Sequence, residues 1–138
     1  MRKSKWLKIA AEHQCDLVKI IDRFAAFRVK EFEDAHNINL NHWQETLNDY
    51  DETAGLVENL DLIISVPQSV VHLAGALGQA VWQLAPFRAM WQVGPYGEEM
   101  PWYLSATNFW QENDEKWEPV MDRVRNELCN LLAKSISN

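Results

Sequence analysis

The chain has 138 residues, 47% of them hydrophobic, which suffices for one hydrophobic core but is short for two. We therefore expect a single globular domain, and this composition excludes a disordered tail. The formal net charge of -7 and the pI of about 5.0 argue against a general nucleic-acid binder, since binding the phosphate backbone requires a surplus of Lys and Arg.

The N-terminal region is basic, with eight of the 13 Lys and Arg residues lying before Glu31. Apolar residues from Trp6 to Phe27 recur at spacings of three and four, and another such set runs from Phe24 to Ala35. We expect residues 1–35 to be a mainly helical segment packed on the domain, its charges forming a solvated helix face rather than a membrane or phosphate contact. Residues 17–21 fit a helix or a strand equally well.

No targeting, membrane-spanning, metal or disulfide pattern is visible. The apolar residues after Lys8 are interrupted by charges, and no run of about 18 apolar residues could span a bilayer. Cys15 and Cys129 lie far apart, which predicts free thiols in a reducing cytoplasm. Four scattered histidines give no ligand spacing, so we expect no metal and no cofactor (His13, His36, His42 and His72).

The middle of the chain begins with weak signals. Residues 38–40 are a short extended candidate, and the segment from Asn41 to Asp51 is typical of a polar loop. Asp51 or Thr53 is expected to cap the next helix. The buried stripe of that helix comprises Ala54, Leu56, Val57 and Leu60.

Residues 61–84 have the pattern of a βαβ unit. The apolar run 62–66 predicts a buried parallel strand covered on both faces, ended by Pro67. A helix rich in small residues follows over 68–77, with Gly78 as its C-terminal cap, and a second strand covers 80–84. The corner is a candidate anion site, because the helix directs unpaired N–H groups beyond the carboxyl end of the strand.

After Pro86, residues 87–103 form a long loop rich in Pro, Gly and aromatic side chains. Residues 105–110 predict a last strand, and Trp117 to Pro119 open a terminal helix. The buried stripe of that helix comprises Val120, Met121, Val124, Leu128, Leu131 and Leu132. Helices that alternate with strands in this way predict an α/β fold with a parallel sheet.

Five strings of the sequence stand out together: His42-Trp43-Gln44-Glu45, Asp49 to Ala54, Leu60 to Val66, Val71 to Gly78 and Met100-Pro101-Trp102-Tyr103. They resemble the C-terminal domain of heptosyltransferase-like glycosyltransferases, especially where that domain follows tetratricopeptide repeats. The resemblance covers roughly residues 36–132. It implies a Rossmann-like α/β domain over 36–138, the C-terminal half of a GT-B glycosyltransferase truncated at its N-terminal side.

The resemblance also implies site residues. Gln68, Ser69 and Val70 would offer backbone N–H groups to the diphosphate of a nucleotide sugar, with His72 beside it as the catalytic residue. Other contacts would come from Asp51 and Thr53 near the nucleoside and from Trp91 and Trp102 over a sugar or base, and Arg88 in the same loop would replace one of the arginines that relatives carry elsewhere. Plain structural roles compete with these: a hydrogen-bonded helix histidine, a helix cap and loop anchors.

Departures from the family pattern weaken the expected site. Pro67-Gln68 stands where relatives carry Asp-Thr or Cys-Thr, and Gln92 and the segment 107–111 lack arginines that relatives carry. A diphosphate would therefore bind weakly, and we do not expect the isolated chain to catalyse transfer.

Two functions remain. The first is the nucleotide-sugar-binding half of a glycosyltransferase, vestigial or dependent on an N-terminal half. The alternative is a non-catalytic oligomerisation or protein-binding module derived from such a domain. No hydrolase motif supports a third function.

Overall fold

The computed structural model describes residues 18–19, 33–34, 37, 41–42, 48–94, 97–113 and 116–136. The chain divides into two compact units, Arg2–Thr53 and Ala54–Asn138. The predicted helix over 6–27 and the extended segment 38–40 lie outside the described residues, apart from Val18 and Lys19. Glu33 and Asp34 are helical, as predicted. The predicted boundary after residue 35 stays a prediction.

The first unit contains a short parallel pair of strands. Strand β1 (Val18–Lys19) pairs with β2 (Asn41–His42), so the segment that fitted a helix or a strand is extended here. The polar loop predicted from Asn41 onwards is wrong at these two residues. Two-residue strands are too short to show an alternating pattern, and this pairing joins residues far apart in sequence.

Helix α1 (Tyr50–Glu58) begins earlier than the sequence predicted. The Asp49 carboxylate accepts a hydrogen bond from the Asp51 amide at 2.9 Å, so Asp49 is the N-cap and the predicted cap at Asp51 or Thr53 is wrong. Val57 of the expected stripe is fully buried. The other three members of that stripe are half-buried (Ala54, Leu56 and Leu60).

A three-stranded parallel sheet organises the second unit. Its strands β3 (Ile63–Ser65), β4 (Val81–Ala85) and β5 (Ala106–Trp110) confirm the three predicted strands and lie in the order β3-β4-β5. Flanking helices complete an α/β fold. Because the strands are parallel, their carboxyl ends share one edge of the sheet.

The β3–β4 crossover is helix α2 (Ser69–Ala76), as predicted. Leu77 is the C-cap, and Gly78 follows with a φ of 76°. The amides of Gly78 and Gln79 donate to the carbonyls of Gly75 and Ala74. This left-handed turn ends the helix and confirms the predicted role of Gly78.

The two faces of the sheet differ in burial. One face is fully buried and consists of Ile63, Ser65, Val81, Gln83, Ala85, Ala106, Asn108 and Trp110. On the other face Phe109 is buried, but Ile64, Trp82 and Leu84 are only half-buried. The expectation of a strand covered on both faces is thus met on one face alone.

We call the segment between β4 and β5, residues 86–105, the long loop; its Val93 carbonyl accepts a hydrogen bond from Asn108 on the buried face. Its regular structure, in the part described, is a 3₁₀ turn (Trp91–Val93) and an antiparallel bridge from Glu99 to Thr107. Val93 packs with Ala85 and Trp110 in one buried cluster.

The terminal helix α3 (Glu118–Ile136) opens with Pro119 in its first turn, as predicted. Val120 and Val124 are fully buried. Leu131, expected in the same stripe, is 41% exposed, so the stripe fades beyond the middle of the helix. The Arg123 guanidinium donates a hydrogen bond to the Trp110 carbonyl and so lies at the carboxyl end of β5.

Candidate functional site

The turn between β3 and α2 is an extended corner followed at once by the helix. Gln68 is the N-cap, with φ -163° and ψ 176°, and its carbonyl accepts from the Val71 amide at 3.1 Å. Its side chain does not cap the helix. Instead, its amide nitrogen donates to Ser65 Oγ at 2.6 Å, and Ser65 Oγ donates to the Val66 carbonyl at 3.0 Å.

This corner leaves three backbone donors uncommitted. Within residues 48–94, 97–113 and 116–136, the amides of Gln68, Ser69 and Val70 have no hydrogen-bond acceptor. Gln68 and Ser69 are exposed and Val70 is half-buried, and all three donors lie at the positive end of the helix. The geometry suits an anion at this point.

His72 lies in the first turn of α2 and is half-buried. Its Nδ1 atom is 3.3 Å from the Tyr103 hydroxyl, and the two rings meet edge to face with centroids 5.8 Å apart. Sequence reasoning assigned Tyr103 no role. The available signal was Gly75, a glycine inside a helix, which indicates a close approach by another segment.

Two arginines belong to the carboxyl edge of the sheet. Between residues 31 and 115 Arg88 is the only Lys or Arg in the sequence; it is exposed and follows β4 by three residues. Arg123 reaches the same edge from α3 and contacts the end of β5. Sequence reasoning missed Arg123, because nothing in a helix pattern shows which strand end its side chain contacts.

Asp51 and Thr53, the predicted nucleoside contacts, are engaged within α1. The Thr53 hydroxyl donates to the Asp49 carbonyl at 3.0 Å, and Thr53 is 7% exposed. Both residues belong to the Arg2–Thr53 unit. Their contact with a nucleoside stays a prediction.

Trp91 and Trp102 form a perpendicular pair in the long loop, with ring centroids 6.3 Å apart. The Trp102 indole N–H donates to the Gln92 carbonyl at 2.9 Å, which fits the loop-anchor alternative. Yet Trp91 is 76% exposed and Trp102 53% exposed. The pair therefore also offers aromatic surface to a ligand or a protein.

An open groove of about 790 Å³ runs beside residues 97–107, and its lining includes Tyr103, whose hydroxyl contacts His72. Its lining includes Glu98 and Glu99 together with Ala106 and Thr107 at the start of β5. Because the strands are parallel, this is the opposite end of β5 from the carboxyl edge. Two carboxylates also disfavour a diphosphate there.

The described residues contain no group of three or more His, Cys, Asp or Glu side chains arranged to hold a metal ion. Across the same residues, none of the helices combines the length and the apolar composition needed to cross a bilayer. Cys129 is a free thiol. Cys15 lies outside the described residues.

Comparison with known proteins gives one partial similarity. The chain is 34% identical over 85 residues to Protein FlbA of Caulobacter vibrioides, an alignment that covers 62% of this chain. The chain spans only about 14% of the length of that curated relative. It matches no protein-family model and no solved structure.

Proposed function

We propose that the unit Ala54–Asn138 binds the diphosphate of a nucleotide sugar. It would act as the donor-binding half of a heptosyltransferase-like glycosyltransferase of the GT-B type, vestigial or dependent on a partner, in the cytoplasm. The observation that carries this proposal is the corner after β3. Three uncommitted amides there, those of Gln68, Ser69 and Val70, lie beyond the carboxyl end of a parallel strand at the start of a helix.

The surroundings of the corner support an anionic ligand. His72 stands on the first helical turn, and Arg88 and Arg123 belong to the same edge of the sheet. In this proposal the corner and the two arginines form one side of the site. An N-terminal glycosyltransferase half or another copy of the chain would supply the other side, exclude water and strengthen these contacts.

The test is binding of inorganic pyrophosphate, UDP, ADP and GDP to the full chain, measured by titration calorimetry and by backbone amide NMR shifts. Ser69→Pro removes one N–H at the first helical position, where proline is tolerated. The preceding Gln68 is already extended, the conformation that a following proline requires. We expect affinity to fall about tenfold or more, because a hydrogen bond to a charged group contributes about 1.5–3 kcal/mol.

Ser69→Ala is the matched control, since it removes the hydroxyl and keeps the amide. It should bind pyrophosphate like the wild type, and the amide resonances of Ser69 and Val70 should move on titration of the wild type. If none of the four ligands moves these resonances, or if Ser69→Pro binds as well as Ser69→Ala, the corner is not a diphosphate site.

A second candidate function, an oligomerisation or protein-binding module, is favoured by apolar exposure in the long loop. Leu104 is fully exposed, Trp91 is 76% exposed and Met90 is 65% exposed. Contiguous apolar patches mark interaction sites, whereas single exposed apolar side chains do not, and Met90 and Trp91 are adjacent in sequence. Sedimentation of the full chain should show association that Trp91→Ser weakens and Tyr50→Ser, an exposed aromatic outside the loop, leaves unchanged. A monomer at every concentration would refute self-association.

A further inference from the structure

Gly75 has no side chain, and this allows Tyr103 to pack directly against α2. A Cβ atom built on Gly75 would lie under 3.0 Å from three carbon atoms of Tyr103, including its Cβ. The aromatic ring therefore rests directly on the helix backbone, one turn from His72. This contact places the phenol hydroxyl 3.3 Å from His72 Nδ1.

We propose that Tyr103 is a positioning residue for His72. The phenol O–H donates to Nδ1, which places the imidazole proton on Nε2 and leaves that N–H free to donate to a phosphate oxygen at the corner. This inference rests on the proposed diphosphate function for its ligand. Its structural part, the tautomer of His72, stands on the contact with Tyr103.

The partners of the two side chains favour this direction of the hydrogen bond. Among the described residues, the Tyr103 hydroxyl has His72 as its only hydrogen-bond partner, and His72 Nε2 has none. A phenol that donates to Nδ1 satisfies both groups and keeps one imidazole donor unused. In a neutral imidazole the opposite direction would leave Nε2 as an acceptor, which cannot donate to a phosphate oxygen.

A held imidazole also loses less freedom when a ligand binds. The edge-to-face contact at 65° and the hydrogen bond restrain the His72 ring before any ligand arrives. Tyr103 belongs to the long loop, so the position of that loop determines the orientation of the His72 imidazole on α2.

The first arm of the test reads the tautomer by long-range proton–nitrogen NMR on the full chain. Spectra taken at about pH 8.5, above the usual range of histidine titration, should show the His72 proton on Nε2, with His72→Gln identifying the resonances. Tyr103→Phe, which keeps the ring on Gly75, should shift the Nδ1 resonance. Tyr50→Phe, the control for losing an exposed phenol hydroxyl, should not. A proton on Nδ1 in the wild type, or an unchanged Nδ1 resonance in Tyr103→Phe, overturns the proposal.

The second arm measures pyrophosphate affinity in a double-mutant cycle. Tyr103→Phe should weaken binding roughly twofold to tenfold, the range of one neutral hydrogen bond, and should have no further effect once His72→Gln is present. Equal affinity of Tyr103→Phe and wild type refutes the positioning role. A wild type that shows the Nε2 proton but binds no pyrophosphate refutes the diphosphate function and the ligand step, while the tautomer assignment stands.

Discussion

The contact between Gly75 and Tyr103 gives a stability prediction with a built-in control. Gly75→Ala places a methyl group where the Tyr103 side chain lies, and the atoms it meets include Tyr103 Cβ, which cannot swing away as a flexible side-chain end could. The long loop must move, or α2 must separate from it. Overpacking of this kind costs about 1–3 kcal/mol.

Gly55→Ala isolates that cost. Gly55 is an exposed glycine inside α1, and a Cβ atom there meets nothing within 4 Å. Both substitutions replace a helical glycine by alanine, so both gain about 0.8–1 kcal/mol of helix propensity. The propensity terms cancel in the comparison, and the difference in unfolding free energy between the two variants should equal the clash, about 1–3 kcal/mol.

Urea unfolding followed by circular dichroism measures both variants. Gly55→Ala should be more stable than the wild type, and Gly75→Ala should be less stable than Gly55→Ala by the clash energy. In a Tyr103→Ala background the penalty at Gly75 should fall but not vanish, because the two nearest ring atoms are gone while the Cβ atom of residue 103 remains 2.9 Å from the new methyl group. Equal stability of the two single variants would refute the close approach of the loop to α2.

Two further predictions concern polar groups. Gln83 is 1% exposed and donates to Asn108 Oδ1 at 2.9 Å, so Gln83→Leu should destabilise the chain by about 1–3 kcal/mol; an unchanged urea midpoint would contradict a buried pair. Asp49→Ala should cost about 0.5–2 kcal/mol through loss of the α1 cap. Asp51→Ala should cost less, as judged by thermal unfolding, and the reverse order would restore the cap to Asp51.

The elements that the sequence predicted well are those with long local patterns. Strand β4, helix α2 and its end at Gly78 follow from apolar runs, small residues and a glycine that adopts positive φ. Two features of the fold were predicted wrongly. Strand β2 depends on a distant partner, and the start of α1 depends on which of two nearby aspartates reaches the helix N–H groups.

In the candidate site, too, features set by neighbouring residues could be predicted and contacts between distant segments could not. The corner after β3 could be predicted, because it depends on consecutive residues and on the direction of a helix. The contacts of Tyr103 with His72 and of Arg123 with the end of β5 could not. Each contact joins residues far apart in the sequence, and no local pattern of apolar residues indicates such a contact. Only the packing of the long loop and of α3 brings these residues together.

A row of buried polar side chains crosses the sheet between the corner and the long loop. Ser65, Gln83 and Asn108 are register partners on adjacent strands, all on the buried face. At one end Ser65 accepts from Gln68 of the corner, and at the other Asn108 donates to the Val93 carbonyl of the loop at 3.2 Å.

Apolar side chains at these positions would avoid the loss of about 1–3 kcal/mol of folding stability that each buried polar atom without a hydrogen-bond partner causes. The polar side chains instead form directional hydrogen bonds: Ser65 bonds to Gln68 of the corner, and Asn108 bonds to Val93 of the long loop. A substitution that removes the Asn108 side-chain amide should therefore loosen the long loop near Val93 more than it disturbs strand pairing. Amide hydrogen exchange, measured residue by residue, should then speed up more in the loop than in the strands.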